Sequence, residues 1–240
     1  MEKEEEKREG TQEEQTREEI KEKPVSPLET WTPRTELGKK VLSGEVKSIE
    51  EILDKGIRIL EPEIVDVLLP DLKQELIYIG GSTGKGGGIK RIPIRITKKV
   101  TKSGKRLRYS AMAVVGNEDG IVGVGRGKAK EPRLAIEKAI RKAKLNLIKV
   151  KRGCGSWECG CGTEHSIPFK VEGKCGSVRV VLMPAPKGVG LVASDEAKKL
   201  FRLAGIKDIW MKSFGDTQTR FNFIKAIFNA LKNLYIYEKR

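Results

Sequence analysis

The sequence has little histidine, few aromatic residues and no arrangement typical of a catalytic centre. His165 is the single histidine, and aromatic residues make up 5% of the chain. No serine lies in a nucleophile-elbow setting, and no pair of carboxylates has a spacing that supports acid–base catalysis. The scarcity of aromatic rings also disfavours recognition of single-stranded nucleic acid by base stacking. We therefore expect a protein that is not an enzyme.

The sequence also lacks the signals of a membrane or secreted protein. No run approaches the roughly 18 consecutive apolar residues that a membrane-spanning helix needs. The N-terminus lacks the basic-then-apolar layout of a secretory signal, and four cysteines in 240 residues are too few for a disulfide-framed scaffold. These features predict a cytoplasmic protein with reduced thiols and no membrane partner.

Positive charge dominates the chain but is unevenly distributed. The formal net charge is +15, yet residues 1–30 hold eleven glutamates against six lysines and arginines, a local balance of −5 that leaves +20 for residues 31–240. A folded region this basic repels itself unless it meets a polyanion. Nucleic acid is therefore the expected partner, because its phosphates supply affinity that does not depend on base sequence.

Changes in composition divide the chain into five predicted segments. The first is highly charged and almost free of large apolar residues, so it cannot bury enough surface to fold. The later segments show helical and strand periodicity. We predict an acidic disordered tail over residues 1–30, a helical N-terminal extension over 31–75, a first domain over 76–150, a Cys- and Gly-rich joint over 151–166 and a second domain over 167–240.

The first domain is predicted to contain three antiparallel strands followed by a helix. Residues 92–96 alternate apolar and polar side chains, which is the period of a half-buried strand. Two more strands are predicted over residues 109–115 and 121–125, and a helix over residues 132–149. The predicted buried face of this helix consists of Ile136, Ile140, Ala143 and Leu147.

The second domain is predicted to mix strands and helices. Strands are expected over residues 167–171, 177–183 and 207–212, and helices over residues 194–204 and 217–234. The last helix carries an apolar stripe that is typical of a protein core rather than of a ligand site. The stripe consists of Ile224, Ile227, Phe228, Leu231 and Leu234.

Lysine and arginine concentrate on the predicted hairpin between the first two strands. Like charges this close cost stability unless a polyanion neutralises them, although a merely soluble hairpin is the alternative. Because few aromatic residues accompany the cations, shape and backbone contacts to folded RNA fit better than base stacking. The candidate RNA-binding residues are Lys85, Lys90, Arg91, Lys98, Lys99, Lys102, Lys105, Arg106, Arg108, Arg126, Lys128 and Lys130.

The glycine-rich stretch of residues 80–88 resembles a phosphate-binding loop but lacks two of its parts. Such a loop has four residues between its first glycine and its Gly-Lys pair, and the position of that glycine is occupied by Ile79. Gly86 stands where a metal-binding hydroxyl is required. We therefore predict no nucleotide cofactor and interpret the stretch as a solvated or RNA-contacting loop that contains Lys85.

A cluster of sulfur and nitrogen ligands lies in the joint. Cys154, Cys159, Cys161 and His165 form the pattern C-x4-C-x-C-x3-H among several glycines, which can wrap four ligands around a tetrahedral zinc ion. Cys175 can replace His165 in this set, or can pack as a small buried thiol. A zinc ion held by four protein ligands has no open position for water, so any zinc here is structural.

Several long, ordered motifs resemble one known family. They are RYSAMAVVG over residues 108–116, GIVGVGRGKAK over 120–130, PAPKGVG over 184–190 and LAGIKD over 203–208, each followed by a predicted helix or strand in the expected order. Together they resemble the small-subunit ribosomal protein numbered five, over residues 76–234. The acidic tail, the helical segment of residues 31–70 and the cysteine cluster look like archaeal members.

The resemblance implies a fold and a set of partners. The fold is α+β, with a double-stranded-RNA-binding-like β-β-β-α domain followed by an α/β domain of the left-handed β-α-β type. The implied function is a structural constituent of the small ribosomal subunit that binds its ribosomal RNA (rRNA) near the tunnel where messenger RNA (mRNA) enters. The hairpin loop of residues 96–108 is implied to reach RNA where the head of the subunit meets its body.

The same resemblance implies a contact with the neighbouring ribosomal protein numbered four, which influences translational accuracy, and Arg179 is the candidate residue for it. Two other functions compete with this interpretation. A free-standing double-stranded-RNA-binding regulator would be stable outside ribosomes. An RNA-modifying or RNA-unwinding enzyme would need a nucleotide loop or an open metal site, and the glycine-rich stretch lacks the residues for the former.

Overall fold

The computed structural model describes residues 31–83 and 88–238. Residues 1–30, predicted to be an acidic tail, and the candidate RNA-binding residue Lys85 lie outside these described residues. Across the two described ranges, no helix is both long enough and apolar enough to cross a lipid bilayer.

The N-terminal extension forms three short helices, α1 (Glu36–Leu42), α2 (Ile49–Asp54) and α3 (Glu63–Leu68). Ser48 is the N-cap residue of α2, but its hydroxyl donates a hydrogen bond to the Glu51 carboxylate instead of accepting one from a backbone amide. The apolar side chains of the three helices pack against one end of the first sheet. The shared buried cluster contains Val41, Ile49, Ile52, Ile64, Val65, Val115, Ile121 and Leu147.

The first sheet has five strands. They are β1 (Lys73–Leu76), β4 (Ile94–Thr101), β5 (Gly104–Gly116), β6 (Ile121–Ala129) and β7 (Leu147–Lys149), in the order β1-β5-β6-β7, with β4 also paired to β5. All pairings are antiparallel. Strands β2 (Gly80–Thr83) and β3 (Ile89–Ile92) form a separate hairpin. The single strand predicted over residues 92–96 is therefore wrong: it is divided at Pro93, which has no amide hydrogen to donate to a sheet.

Helix α4 (Pro132–Lys144) covers one face of the first sheet and is shorter than predicted. Residues 147–149 form β7 instead of a last helical turn. The chain turns at Asn146, whose side-chain amide donates a hydrogen bond to the carbonyl oxygen of Val124 at 3.0 Å. The prediction of helix to residue 149 fails because apolar residues that continue a helical pattern here pair with β6.

The buried face of α4 is made of alanine, not of the predicted isoleucines. Ala135, Ala139 and Ala143 are fully buried, whereas Ile136 and Ile140 are only partly buried. The cause lies in β6, where a Cβ atom added at Gly125 or Gly127 would lie 2.2 or 2.1 Å from carbonyl oxygens of α4. Glycine on the sheet lets the helix approach closely, and only a small side chain fits between them.

The second half contains a four-stranded sheet in the order β10-β11-β9-β8, formed by β8 (Val171–Cys175), β9 (Val178–Pro184), β10 (Leu191–Val192) and β11 (Ile209–Phe214). Residues 167–170, predicted to start a strand, precede β8 instead. Helix α5 (Asp195–Leu203) connects the parallel strands β10 and β11, and α6 (Arg220–Glu238) follows. The predicted apolar stripe of α6 is buried at all five positions.

One hydrophobic core extends through both halves of the molecule. Met112, Val114 and Val124 of the first sheet belong to the same buried cluster as Phe201 and Leu203 of α5. This cluster lies on the face of the first sheet opposite to α4. The core therefore holds the second half of the molecule against the first sheet. On the sheet face opposite α4, only the part farthest from this core remains exposed.

Candidate nucleic-acid interface and metal centre

Strand alternation places many of the predicted cations on one side of the first sheet. Ala111 and Ala113 of β5 and Gly125 and Gly127 of β6 face α4, and successive side chains of a strand point to opposite faces. The antiparallel register then assigns six cations to the face opposite α4. This cationic face consists of Arg95, Lys99, Arg106, Arg108, Arg126 and Lys128.

The cationic face brings like charges into direct opposition. Lys99 of β4 is paired with Arg106 of β5, and Thr97 with Arg108. Directly opposed like charges destabilise a strand pair. In the described part of the chain, none of the six cations forms an ion pair with a carboxylate. The arrangement keeps positive charge available at a cost to the stability of the free protein.

The cationic face continues to the first turn of α6. The guanidinium of Arg126 stacks over the ring of Phe221, 3.8 Å from its centroid. Partial burial lowers the pKa of Arg126, and the nearby Arg95 lowers it further. Burial also lowers the pKa of Arg220, and the nearby Arg91 lowers it further. The Arg220 guanidinium forms an ion pair with Glu196. Arginines from β3, β4, β6 and α6 therefore surround one region.

Sequence reasoning missed two of these arginines. Arg95 is a polar position of the alternating residues 92–96 and is absent from the predicted RNA-binding set. Its spacing of two from Thr97 and of four from Lys99 nevertheless places all three residues on one face. Arg220 is far away in sequence, and its side chain also approaches the carbonyl oxygen of Tyr78 at 3.5 Å. No local sequence pattern predicts the position of Arg220, because the shared hydrophobic core brings α6 next to the first sheet.

The other predicted RNA-binding residues lie off the cationic face. Lys98 and Lys105 point to the opposite side of the hairpin, together with the exposed side chains of Val100 and Leu107. Lys102 lies in the turn between β4 and β5. The remaining three described residues are Lys90 and Arg91 on β3 and Lys130 directly after β6.

Arg179 lies on the exposed face of the second sheet. Its guanidinium donates two hydrogen bonds to Glu172 Oε2, at 3.0 Å from Nε and 2.6 Å from Nη2. The Arg179 side chain is still 56% exposed. Phe214, directly opposite on β11, is 48% exposed. A cation and an exposed aromatic ring thus lie side by side on this surface.

The four predicted metal ligands meet in the joint. The ligand atoms of Cys154, Cys159, Cys161 and His165 all lie within 4.8 Å of one another. The Sγ atoms of Cys154 and Cys161 are 3.6 Å apart, and Cys159 Sγ is 3.8 Å from His165 Nε2. Zinc–sulfur bonds of about 2.3 Å in a tetrahedron separate two sulfur ligands by a little under 4 Å, so the spacing fits zinc.

Cys175 is not part of this group. It ends strand β8, and its Sγ atom lies 4.0 Å from Oδ1 of Asn222 on α6. Of the two alternatives for the fourth ligand, the geometry favours His165.

The environment of the cysteines favours at least one thiolate. Hydrogen bonds from the side chain and the backbone of Thr163 lower the pKa of Cys161 to about 6. Burial raises the pKa of Cys154 above its usual value. The thiolate is the form that binds metal, so Cys161 is ready to bind near neutral pH, whereas Cys154 has to lose its proton when the metal arrives.

His165 is fixed by a carboxylate on the side away from the cysteines. Its Nδ1 atom lies 2.8 Å from Oδ2 of Asp208, and both residues are 4% exposed. The other nitrogen, Nε2, faces Cys159. This arrangement leaves Nε2 free to bind a metal while Nδ1 keeps a hydrogen-bond partner.

Comparison with known proteins agrees with the motifs. Residues 89–151 match the family described as "Ribosomal protein S5, N-terminal domain", and residues 173–240 match "Ribosomal protein S5, C-terminal domain". The chain is 56% identical to "Small ribosomal subunit protein uS5" of Staphylothermus marinus over 208 residues, which cover 87% of this chain and 90% of the relative.

Two further relatives carry the same name. The protein of Nanoarchaeum equitans is 56% identical over 86% of this chain and 89% of its own length. That of Methanocaldococcus jannaschii is 53% identical over 86% of this chain and 88% of its own length. These matches confirm the family resemblance and its archaeal character. The chain therefore belongs to the small ribosomal subunit protein uS5 family, as a structural ribosomal protein and not an enzyme.

Proposed function

We propose that the chain is a structural constituent of the small ribosomal subunit and that its cationic face binds ribosomal RNA. The observation that carries the proposal is the group of six cations on one face that have no carboxylate partner in the described ranges, with Lys99 directly opposite Arg106. RNA phosphates neutralise such a group, and each neutralised phosphate adds salt-dependent affinity. Phosphate contacts position a protein on RNA without reading bases, which suits a structural role.

The proposed fold supports this function. Strands β4, β5 and β6 with α4 on one face form, in this proposal, a double-stranded-RNA-binding-like unit over residues 76–150. The β10-α5-β11 unit belongs to the proposed left-handed β-α-β type domain of residues 167–240. Because α4 occupies one face of the first sheet and the core occupies the inner part of the other, the outer part remains for RNA.

The proposed position is near the tunnel where mRNA enters, at the junction of the head and the body of the subunit. Family membership supports this position, together with rRNA, mRNA and the ribosomal protein numbered four as partners. Arg179 is the proposed contact with that neighbouring protein and the proposed link to translational accuracy. This role of Arg179 is supported by its exposed position directly opposite Phe214 on β11, because arginine and aromatic residues are enriched in protein interfaces.

A structural zinc ion is the proposed cofactor. Cys154, Cys159, Cys161 and His165 supply four ligands, and the burial of His165 and the short distances within the cluster support the assignment. When bound, the ion would link these four residues and thereby stabilise the joint, because zinc binding contributes directly to folding free energy.

Sedimentation tests the ribosomal function. A cell lysate is run on sucrose gradients at moderate and at high salt, and this protein is quantified in each fraction. We expect about one copy per small subunit, retained at moderate salt, because several phosphate contacts act together. Protein found only at the top of both gradients would contradict the proposal and favour a free-standing double-stranded-RNA-binding regulator.

A triple charge reversal tests the cationic face. Lys99→Glu, Arg106→Glu and Arg108→Glu are combined in one chain, and binding to small-subunit rRNA is measured by titration at several salt concentrations. We expect affinity to fall at least about 100-fold and the salt dependence to weaken, since about three phosphate contacts are lost. The matched control reverses three exposed lysines of the extension, Lys39, Lys40 and Lys47. Equal losses in both variants would show that net charge, not this face, binds RNA.

Metal analysis tests the zinc site. Native mass spectrometry of the purified full chain is expected to find one zinc per molecule, and Cys159→Ser is expected to lose it. Cys175→Ser is the control, because Cys175 lies outside the cluster. Wild-type protein that is purified with zinc present and carries none would rule out the site.

A further inference from the structure

Asp208 lies between the metal cluster and a surface loop. One of its carboxylate oxygens, Oδ2, is 2.8 Å from His165 Nδ1. The other, Oδ1, accepts hydrogen bonds from the amides of Gly188 at 3.1 Å and Gly190 at 2.7 Å. This buried side chain therefore touches both a metal ligand and the loop of residues 184–190, here called the 184–190 loop.

We propose that Asp208 is the positioning residue of the metal centre and that metal binding, acting through it, fixes the 184–190 loop to the joint. Binding of zinc by Nε2 requires the imidazole proton to lie on Nδ1. Asp208 accepts that proton in a hydrogen bond, which selects the tautomer and orients the ring. This inference rests on the proposed zinc site.

The coupling also acts from the metal to the loop. A ring bound to zinc cannot rotate, so it holds Oδ2 of Asp208 in place and thereby fixes Oδ1. Gly188 and Gly190 have φ angles of 96° and 75°, which side chains rarely adopt. These conformations let two amides that are two residues apart point at one oxygen atom.

Three further hydrogen bonds connect the joint with the 184–190 loop and with residues 207–208. The hydroxyl of Ser166, which follows the ligand His165, accepts a hydrogen bond from the amide of Ala185 at 3.2 Å. The carbonyl oxygen of His165 accepts hydrogen bonds from the amides of Lys207 and Asp208, at 2.9 and 3.0 Å. Three backbone amides of the 184–190 loop, those of Ala185, Gly188 and Gly190, thus donate hydrogen bonds to Ser166 or Asp208. Ser166 and Asp208 both adjoin the metal ligand His165. Loss of the metal is expected to loosen this loop, in which the side chain of Lys187 is exposed.

The first experiment measures zinc affinity by competition with a chromophoric chelator. We expect Asp208→Asn to bind zinc about 10- to 100-fold more weakly than the wild-type chain, the usual effect of removing an outer-shell carboxylate. Asp71→Asn is the matched control, because Asp71 is exposed and distant from the cluster in sequence. Equal zinc affinity in the wild-type and Asp208→Asn chains would overturn the inference and leave the zinc site intact.

The second experiment needs no variant, so it remains decisive if Asp208→Asn does not fold. Amide hydrogen exchange of the wild-type chain is compared with and without zinc. We expect faster exchange at Gly188 and Gly190 after zinc removal, while amides of the buried strand β6 keep their rates. Unchanged exchange in the 184–190 loop would overturn the coupling. A wild-type chain that binds no zinc at all would remove the proposed site and this inference together.

Discussion

The two ends of the first sheet share the long strand β5 but have opposite properties. At the end near residue 116, β5 is buried from Ser110 onwards and packs against α4, α5 and the N-terminal extension. At the other end, residues 104–108 of β5 are exposed and carry Arg106 and Arg108 of the cationic face, opposite Lys99 and Thr97 of β4. We call them the packed end and the bare end.

The two ends differ in whether their lysines and arginines form ion pairs within the chain. At the packed end, Lys149 meets Glu50 at 2.6 Å and Asp54 at 3.3 Å, and Lys73 meets Glu118 at 2.6 Å. At the bare end, Lys99, Arg106 and Arg108 of the cationic face have no carboxylate partner within the described residues. Within the described residues, the named lysines of the packed end are therefore paired within the chain, whereas the cations of the cationic face are not.

The largest effect is expected from enlarging a glycine at the packed end. The Cβ atom of Gly127→Val would lie 2.1 Å from the carbonyl oxygen of Ala135 and 2.6 Å from the amide nitrogen of Ala139. Backbone atoms cannot move aside easily, so we expect a loss of about 3 kcal/mol in the free energy of unfolding, measured by urea denaturation. Gly88→Ala is the control, since its Cβ would meet nothing within 4 Å. A stable Gly127→Val chain would mean that α4 does not need this close approach.

The next largest effect is expected from Lys99→Glu, which should raise the stability of the free protein but lower its affinity for RNA. Lys99→Glu replaces a like-charge pair with an attractive one opposite Arg106, so the free energy of unfolding is expected to rise by about 0.5 kcal/mol. Affinity for small-subunit rRNA should fall about tenfold, because one phosphate contact becomes a repulsion. Urea denaturation and RNA titration of the same preparation measure both. A fall in both quantities would show that Lys99 contributes to folding and would break the contrast between the ends.

A smaller effect is expected for a paired lysine at the packed end. A hydrogen bond to Glu50 raises the pKa of Lys149, although burial opposes it. Because the pKa of Lys149 is higher in the folded than in the unfolded chain, its ion pairs stabilise the fold fully below the unfolded value near 10.5. This stabilisation is lost as pH rises through the folded-state pKa. We expect Lys149→Met to cost about 0.5 kcal/mol near neutral pH, and less above pH ~10.5 as the wild-type lysine deprotonates.

Urea denaturation at pH 7 and pH 11 measures this difference. Lys138→Met on α4 is the control, because the side chain is exposed and has no ion pair among the described residues. RNA affinity should change less than twofold in both variants. A strong loss of RNA affinity in Lys149→Met would show that pairing within the chain does not separate structural from binding charge.

Local patterns in the sequence predicted one part of the site and not the other. The hairpin cations and the four metal ligands lie within short stretches, so their spacing is enough to bring them together once the backbone is extended or looped. Arg220 and Asp208 reach their sites from distant segments through the shared core, and no periodicity encodes that. Ala143 and Leu147 are buried as predicted, but the prediction for Ile136 and Ile140 was wrong for a related reason. Glycines of β6, not the helix itself, decide which helix residues are buried.

The smallest effect is expected from the neighbour of Lys99 on the other side of the same hairpin. Lys98→Glu makes the same change of charge one residue earlier, but its side chain points away from the cationic face and lies opposite Leu107. We expect rRNA affinity to fall only about two- to threefold, through the weaker long-range field that salt screens. Titration at low and physiological salt should leave Lys98→Glu nearly equal to the wild-type chain at physiological salt. Lys99→Glu should still bind more weakly at physiological salt, although its loss also becomes smaller as salt rises. If Lys98→Glu and Lys99→Glu lose affinity equally, RNA senses the total charge of the bare end rather than one face, and the assignment of the cationic face as the contact surface is wrong.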